Sequence, residues 1–406
     1  MIESPRSRAP RTRGHGSDQG LEAKGQGSGA TDKGTDQESG ARGEKLLPAN
    51  GRQGTQTRIL ASHVRPPTPG PRPPSDGWVQ RQHVLDLDDF SSAEIERVFD
   101  TADSMKEVLA RPIPRVPALR GKSIVNLFYE PSTRTRVSFE IAAKNLGADV
   151  VNVAAGGSSI EKGETLLDTA RTLRALGADV LVVRHKDSGA PHVIAQHIDV
   201  PVINAGDGTH AHPTQALLDA YTIRQHFGHL QGLRVLIVGD IAHSRVARSN
   251  AWCLSTLGAE VIFCGPPTLL PPTLLSPEGH RPWPVESDVR LDRAVEGVDV
   301  VMPLRVQLER QEGNRLASLR EYARDFAITR ARLERAAPRA ILMHPGPMNE
   351  GVEVDADVAH GDRSVIQEQV TNGVAIRMAV LYLLVSSVSA AERSTSPAGP
   401  LEERLQ

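Results

Sequence analysis

Aromatic residues are scarce in this chain, with 3 Trp, 4 Tyr and 7 Phe among 406 residues. Any core must therefore rest on aliphatic side chains. Basic and aromatic residues do not interleave in the way that grips and stacks nucleic acid. Cysteine is scarcer still: Cys253 and Cys264 are the only two. With no CxxC pair and no His/Cys cluster along the chain, neither a disulfide scaffold nor a structural zinc is expected, and a reducing cytosol fits. Net charge is nearly absent, since 47 basic against 49 acidic residues leave −2. No global field then draws the chain to nucleic acid or an anionic membrane. No uninterrupted apolar run approaches the roughly 18 residues of a membrane helix, and the N-terminus lacks the apolar core of a secretory signal. The expectations are a cytoplasmic location, no nucleic-acid partner and no membrane.

The length admits two ordinary domains with sizeable cores. Residues 1–80 differ in kind from the rest: 13 Gly and 9 Pro fall there, and Trp78 is the only aromatic. Apolar periodicity is missing, so the segment cannot bury enough surface to offset its ordering entropy and reads as a disordered tail. Its 12 basic and 8 acidic residues give it a charge of +4. The acidic residues scattered through it argue against a mitochondrial transit peptide. The tail reads as solvated chain, with a docking role as the alternative. Residues 391–406 read as a flexible C-terminus.

From about Gln82 apolar, β-rich runs alternate with helix-like stretches. The strand candidates are Ser123–Tyr129, Val150–Val153, Val180–Arg184, Val200–Asn204, Arg234–Val238, Glu260–Cys264, Asp299–Leu304 and Ala340–Met343. Val137, Ile141 and Leu146 show helical spacing before Gly147, and Gly177 and Gly258 stand where helices should stop. Such alternation predicts an α/β fold with parallel sheets flanked by helices. The eight strands could form one large sheet or two smaller ones. A long helix over Pro213–Phe227 is a plausible bridge between two halves. Pro266–Val285 carries no clear motif.

The strongest local signal is Phe128-Tyr129-Glu130-Pro131-Ser132-Thr133-Arg134-Thr135-Arg136. A buried strand ends at Tyr129 and a helix begins near Thr135. Unpaired first-turn amides, three hydroxyls and an arginine converge there, which suits a phosphate. An ordinary capped helix explains Ser132 and Thr133, but not two arginines at a positively polarised helix start. Glu130 fits better as an orienter of Arg134 or a neighbouring arginine than as a base.

Ser132–Arg136, followed by Ser138-Phe139-Glu140, resembles the carbamoyl-phosphate loop of the transcarbamylase superfamily. Lys162-Gly163-Glu164-Thr165, Arg184-His185, His212-Pro213-Thr214-Gln215 and His344-Pro345-Gly346-Pro347 follow in the family's order. The resemblance covers about residues 82–390. Among its branches the chain looks like the aspartate carbamoyltransferases: Arg305-Val306-Gln307-Leu308-Glu309-Arg310 resembles their aspartate-binding segment, and no Ser-Met-Gly loop of the ornithine branch is present. Arginine forks suit a dicarboxylate, whereas ornithine would ask for acidic partners. A transcarbamylase for ornithine or a modified ornithine is the runner-up, and a non-catalytic homologue a second alternative.

The resemblance implies two parallel-sheet domains. Residues 81–213, completed by a C-terminal helix over 371–390, would bind carbamoyl phosphate, and residues 214–370 would bind aspartate. Ser132, Thr133, Arg134 and Thr135 would hold the phosphate, and Arg184 would bridge it to the carbonyl oxygen. His212 would donate to that oxygen, while Gln215 and the backbone around Pro345, Gly346 and Pro347 would receive the carbamoyl amine. Arg245, Arg305 and Gln307, with Lys162 and Gly346, would bind aspartate. Ser158 and Lys162 would reach into a neighbouring subunit's site, which makes the active unit a homotrimer. A larger assembly with regulatory or dihydroorotase-like chains is open. No metal or organic cofactor is required, because phosphate is already a good leaving group. Arg134, Thr135, Arg184 and His212 would be the catalytic set for carbamoylation of aspartate, the committed step of de novo pyrimidine biosynthesis.

Overall fold

The computed structural model describes residues 78, 81–154, 164–275, 283–307, 316 and 318–395. The tail expected over 1–80 lies outside these apart from Trp78, and there the boundary needs correction. Trp78 is buried, its indole Nε1 donates to the Glu94 carbonyl at 2.9 Å, and its ring meets Phe90 edge-on. The folded body therefore begins at least that early.

The first half runs through α1 (Ser92–Leu109), β1 (Ser123–Phe128), α2 (Thr133–Asn145), β2 (Asp149–Ala154), α3 (Leu166–Ala175), β3 (Val180–His185), α4 (Ala190–Ala195) and β4 (Val202–Asp207). Helix α5 (Pro213–Phe227) follows, then β5 (Arg234–Val238), α6 (Arg245–Thr256), β6 (Glu260–Cys264), α7 (Pro272–Leu275), β7 (Val285–Asp288), α8 (Leu291–Ala294) and β8 (Val300–Pro303). The chain ends through α9 (Leu319–Phe326), α10 (Arg330–Leu333), β9 (Ile341–Leu342), α11 (Ala356–Ala359) and α12 (Ile366–Thr395). The strands form two sheets, ordered β2-β1-β3-β4 and β7-β6-β5-β8-β9, with every pairing parallel.

Both sheets are covered on both faces, and consecutive strand residues show it. On β3, Val180 and Val182 face one cluster while Leu181 and Val183 face another. On β5, Val235 and Ile237 face one side while Leu236 and Val238 face the opposite one. Side chains alternate across a strand, so two buried faces demand an unbroken apolar run. That is why these strands were legible. β7 was not, since of Val285-Glu286-Ser287-Asp288 only Val285 is buried. It is a short edge strand that begins at Val285, the last residue of the segment that showed no motif.

α2 departs from its apolar spacing. Val137 and Ile141 are 41% and 42% exposed, while Thr135, Phe139, Ala142, Ala143 and Leu146 are buried. The helix is rotated because Thr135 must turn inward at its first turn. Phe139, Ala142 and Leu146 then follow at helical intervals on the same face. The expected glycine stops hold: Gly147, Gly177 and Gly258 follow the caps of α2, α3 and α6 with positive φ. α12 is longer than the helix expected over 371–390. Its stretch Ile366–Ser387 is long and apolar enough to cross a membrane, but most of it is buried against α1, α2 and α5.

Candidate active site

Parallel sheets gather loops at the C-terminal ends of their strands, where α/β proteins place ligands. Here both sheets open onto one cleft of about 510 Å³. The first half contributes Glu130–Thr135 after β1, Arg184 at the end of β3, and His212 after β4. The second half contributes Ser244 and Arg245 after β5, Leu304, Arg305 and Gln307 after β8, and His344–Pro347 after β9. Three helices also begin at the cleft: α2 at Thr133, α5 at Pro213 and α6 at Arg245. Unpaired amides and aligned dipoles at such starts favour an anion.

Ser132, Thr133, Arg134, Thr135, Arg184, His212, Gln215, Arg245, Arg305, Gln307, Pro345, Gly346 and Pro347 all line this cleft. Of the two loop arginines, Arg134 lines it and Arg136 does not. Ser158 and Lys162 lie outside the described residues. Ser132 occupies the N-cap of α2 without a side-chain cap bond, and its Oγ instead donates to Thr135 Oγ1 at 3.0 Å.

Among the described residues five arginines line the cleft, against the single carboxylate of Glu130. Glu130 holds Arg245 through two contacts of 2.8 and 3.2 Å and reaches Arg184 at 3.3 Å. It thus orients neighbouring arginines, including one from the other half of the chain. Arg184 Nη1 also donates to the Ala205 carbonyl at 3.1 Å. The two guanidiniums close over Gly206, where a Cβ would stand 3.0 Å from Arg184 and 3.1 Å from Arg245.

Burial, reinforced by Arg184, Arg245 and Arg377, holds the His212 pKa well below the usual histidine value. The imidazole is therefore neutral and can donate one N–H, as an oxyanion site needs. His212 is fixed through its backbone N–H, which donates to Ser249 Oγ at 2.9 Å.

Sequence reasoning passed over Arg377. It is fully buried on α12, lines the cleft, donates to Ser138 Oγ at 3.0 Å and sits 5.2 Å above the Phe139 ring. Desolvation lowers its pKa to about 10, with Asp219 opposing. An arginine inside the apolar run Val374–Leu384 was the available signal, because a buried cation needs a purpose or a partner. Asp219, Gln369 and Asn250, which pack behind Gln215, were passed over as well.

Folding also brings His192, Asp207 and His210 together, with ligand atoms within 4.8 Å of one another. The linear sequence showed no such cluster. The Asp207 oxygens accept from Asn204 Nδ2, Ala211 N and Gly189 N at 2.8, 3.1 and 2.6 Å and meet His210 Nδ1 at 3.1 Å. Those contacts occupy a carboxylate's acceptor positions. Asp207 is thereby a clasp for the loop that delivers His212.

A parallel two-sheet protein with an arginine-rich cleft between its halves, floored by helix N-termini, is a binder of small polyanions. Comparison narrows the class. Residues 82–225 match the family model of the aspartate/ornithine carbamoyltransferase carbamoyl-P binding domain, and residues 231–384 match that of its Asp/Orn binding domain. An aspartate carbamoyltransferase catalytic subunit of Roseiflexus sp. (strain RS-1) is 60% identical over 306 residues, covering 75% of this chain and 95% of that protein. The chain belongs to the aspartate/ornithine carbamoyltransferase family. Aspartate transcarbamoylase from Trypanosoma cruzi, solved with carbamoyl phosphate and aspartate, superposes with a TM-score of 0.67 at 32% identity, covering 75% of this chain and 96% of that one. Ornithine carbamoyltransferase from Pyrococcus furiosus gives 0.67 at 30% identity, covering 75% and 97%.

Proposed function

We propose that this chain transfers the carbamoyl group of carbamoyl phosphate to the α-amine of L-aspartate, giving N-carbamoyl-L-aspartate and phosphate, the committed step of de novo pyrimidine biosynthesis. The observation carrying this reading is one cleft in which the α2 start, Arg184 and His212 from the first half meet Arg245 and Arg305 from the second. The fold is shared with an ornithine carbamoyltransferase, so the choice of amine rests on the arginines and on the 60% identity to a relative named as an aspartate carbamoyltransferase catalytic subunit.

In this reading residues 81–213, completed by the C-terminal helix, take carbamoyl phosphate, and residues 214–370 take aspartate. Ser132, Thr133, Arg134 and Thr135 grip the phosphate. Thr135, Arg184 and His212 stabilise the oxyanion as the amine attacks the carbonyl carbon. Gln215 and the carbonyls around Pro345 and Gly346 accept from the carbamoyl amine. Arg245, Arg305 and Gln307 hold the aspartate carboxylates. The tetrahedral intermediate expels phosphate, which can carry away the amine's proton, so no dedicated base is needed. Catalysis is then positioning and charge stabilisation.

The working unit in this proposal is a homotrimer, with Ser158 and Lys162 completing a neighbour's site. Exposed Val137 and Ile141 on α2 and Val151 on β2 support it, as apolar surface available to a neighbouring chain. A cytoplasmic location is supported by two buried free thiols, Cys253 and Cys264. The test is carbamoylation of aspartate, ornithine and acetylornithine by purified protein, with its mass in solution. Turnover with aspartate alone and a mass of three chains are expected, and turnover with ornithine but not aspartate refutes the reading.

A further inference from the structure

Asp219 sits on α5 one turn after Gln215 and is fully buried. Three amides from three helices converge on its carboxylate. Gln215 Nε2 of α5 and Gln369 Nε2 of α12 donate to Oδ1 at 2.9 and 2.8 Å, and Asn250 Nδ2 of α6 donates to Oδ2 at 2.9 Å. Burial pushes Asp219 up to about 6, while the three amide donors and the Arg377 charge favour its ionised form. An ionised carboxylate only accepts. Each amide must therefore turn its nitrogen toward Asp219 and its oxygen away.

For two of them the consequence reaches the cleft. Gln215 lines it, and with Nε2 turned onto Asp219 its acceptor Oε1 is turned away from that carboxylate. Gln369 Oε1 accepts the His344 backbone N–H at 2.8 Å. That bond anchors the segment whose carbonyls flank the same space. One buried carboxylate thereby sets the polarity of both sides of the carbamoyl pocket as acceptors.

We propose that Asp219 is a positioning residue that makes the pocket selective for an acyl phosphate bearing N–H donors, excluding one that ends in a methyl group. This rests on the carbamoyl-transfer reading above. Carbamoyl phosphate fills the acceptors, whereas acetyl phosphate, nearly the same shape, leaves them buried and unpaired. Sites built to pair a polar group reject the analogue lacking it strongly.

The test is the affinity of the full-length protein for each of the two acyl phosphates, measured by calorimetry. Wild type should prefer carbamoyl phosphate. In Asp219→Asn the new amide needs an acceptor, which frees Gln215 to rotate and present nitrogen to the cleft. The preference should fall about tenfold or more, chiefly through carbamoyl phosphate, since one neutral hydrogen bond is worth about that factor. Asp219→Asn combined with Gln215→Glu exchanges carboxylate and amide and again turns an oxygen toward the ligand. It should recover much of the preference, and it carries the same readout if the single variant does not fold. Parallel loss of both affinities in Asp219→Asn, with the preference intact, overturns the proposal, as does a folded double variant without preference. An unsubstituted protein that neither prefers carbamoyl phosphate nor carbamoylates aspartate strikes the functional reading instead, and is recognised because no substitution is involved.

Discussion

Gly346→Ala tests the phosphate clamp without touching the clamping residue. Gly346 has φ +65, and a Cβ there would stand 1.6 Å from Arg134 Nη1 and 2.8 Å from its Cζ. Ordinary contact begins at about 3.4 Å, so the guanidinium must retreat by nearly 2 Å. Its long side chain can do so, which means the fold survives while the clamp moves. The left-handed backbone adds about 1–2 kcal/mol of strain for a residue with a Cβ. A misplacement of about 1 Å in a catalytic group can cost roughly 10²-fold. The expected outcome is therefore a fall of about 10²-fold in kcat/KM for carbamoyl phosphate, with cooperative melting retained. Steady-state kinetics with carbamoyl phosphate varied at saturating aspartate, beside a thermal melt, give both numbers. A double-mutant cycle with Arg134→Ala separates the causes: if Gly346 acts by making room for Arg134, the second substitution adds little to the first. Wild-type kinetics in Gly346→Ala, or full additivity with Arg134→Ala, would refute the reasoning.

Three further outcomes are expected. His212→Ala should lose about 10²–10³ in kcat, the usual cost of one oxyanion donor. It should also be less acid-sensitive than wild type in melts between pH 7 and 5. A histidine held below 6.5 leaves the unfolded chain binding the extra proton, so wild-type stability falls as pH drops through that value; equal sensitivity counts against a buried neutral His212. Arg377→Met keeps the length of a fully buried side chain but removes a cleft charge and the Ser138 bond. It should raise the carbamoyl phosphate KM about tenfold while remaining folded, since apolar isosteres often tolerate such sites, and an unchanged KM would reduce Arg377 to packing. Mixing Lys162→Ala chains with Arg134→Ala chains should restore activity through hybrid trimers holding one intact composite site; no rescue under verified subunit exchange argues against shared sites.

The parts readable from the chain were those whose signal is local. Strands buried on both faces must be apolar at every position, so β1, β3 and β5 stood out, while β7, with one buried residue, did not. Residues 132–135 stood out as a phosphate-site candidate because helix-start amides, hydroxyls and an arginine are neighbours in sequence, and they do line the cleft. α2 was visible as a helix from the spacing of Val137, Ile141 and Leu146, but the spacing did not show which face is buried, and Val137 and Ile141 are exposed because Thr135 turns inward. Trp78 looked like part of a polar tail because its partners, Phe90 and Glu94, lie beyond the composition break.

Residue types and their spacing by themselves determined an α/β chain, and marked a helix start whose groups suit an anion and enough arginine for a dicarboxylate. Tertiary structure alone decided which charges meet. Glu130 holds Arg245, 115 residues along. Arg377 and Asp219 were passed over along the sequence; only when α12 folds back against α2 and α5 does Arg377 reach the cleft wall and Gln369 meet Asp219. Hydrogen-bond polarity and the burial of charge depend on partners brought from distant segments. No window along the chain contains them.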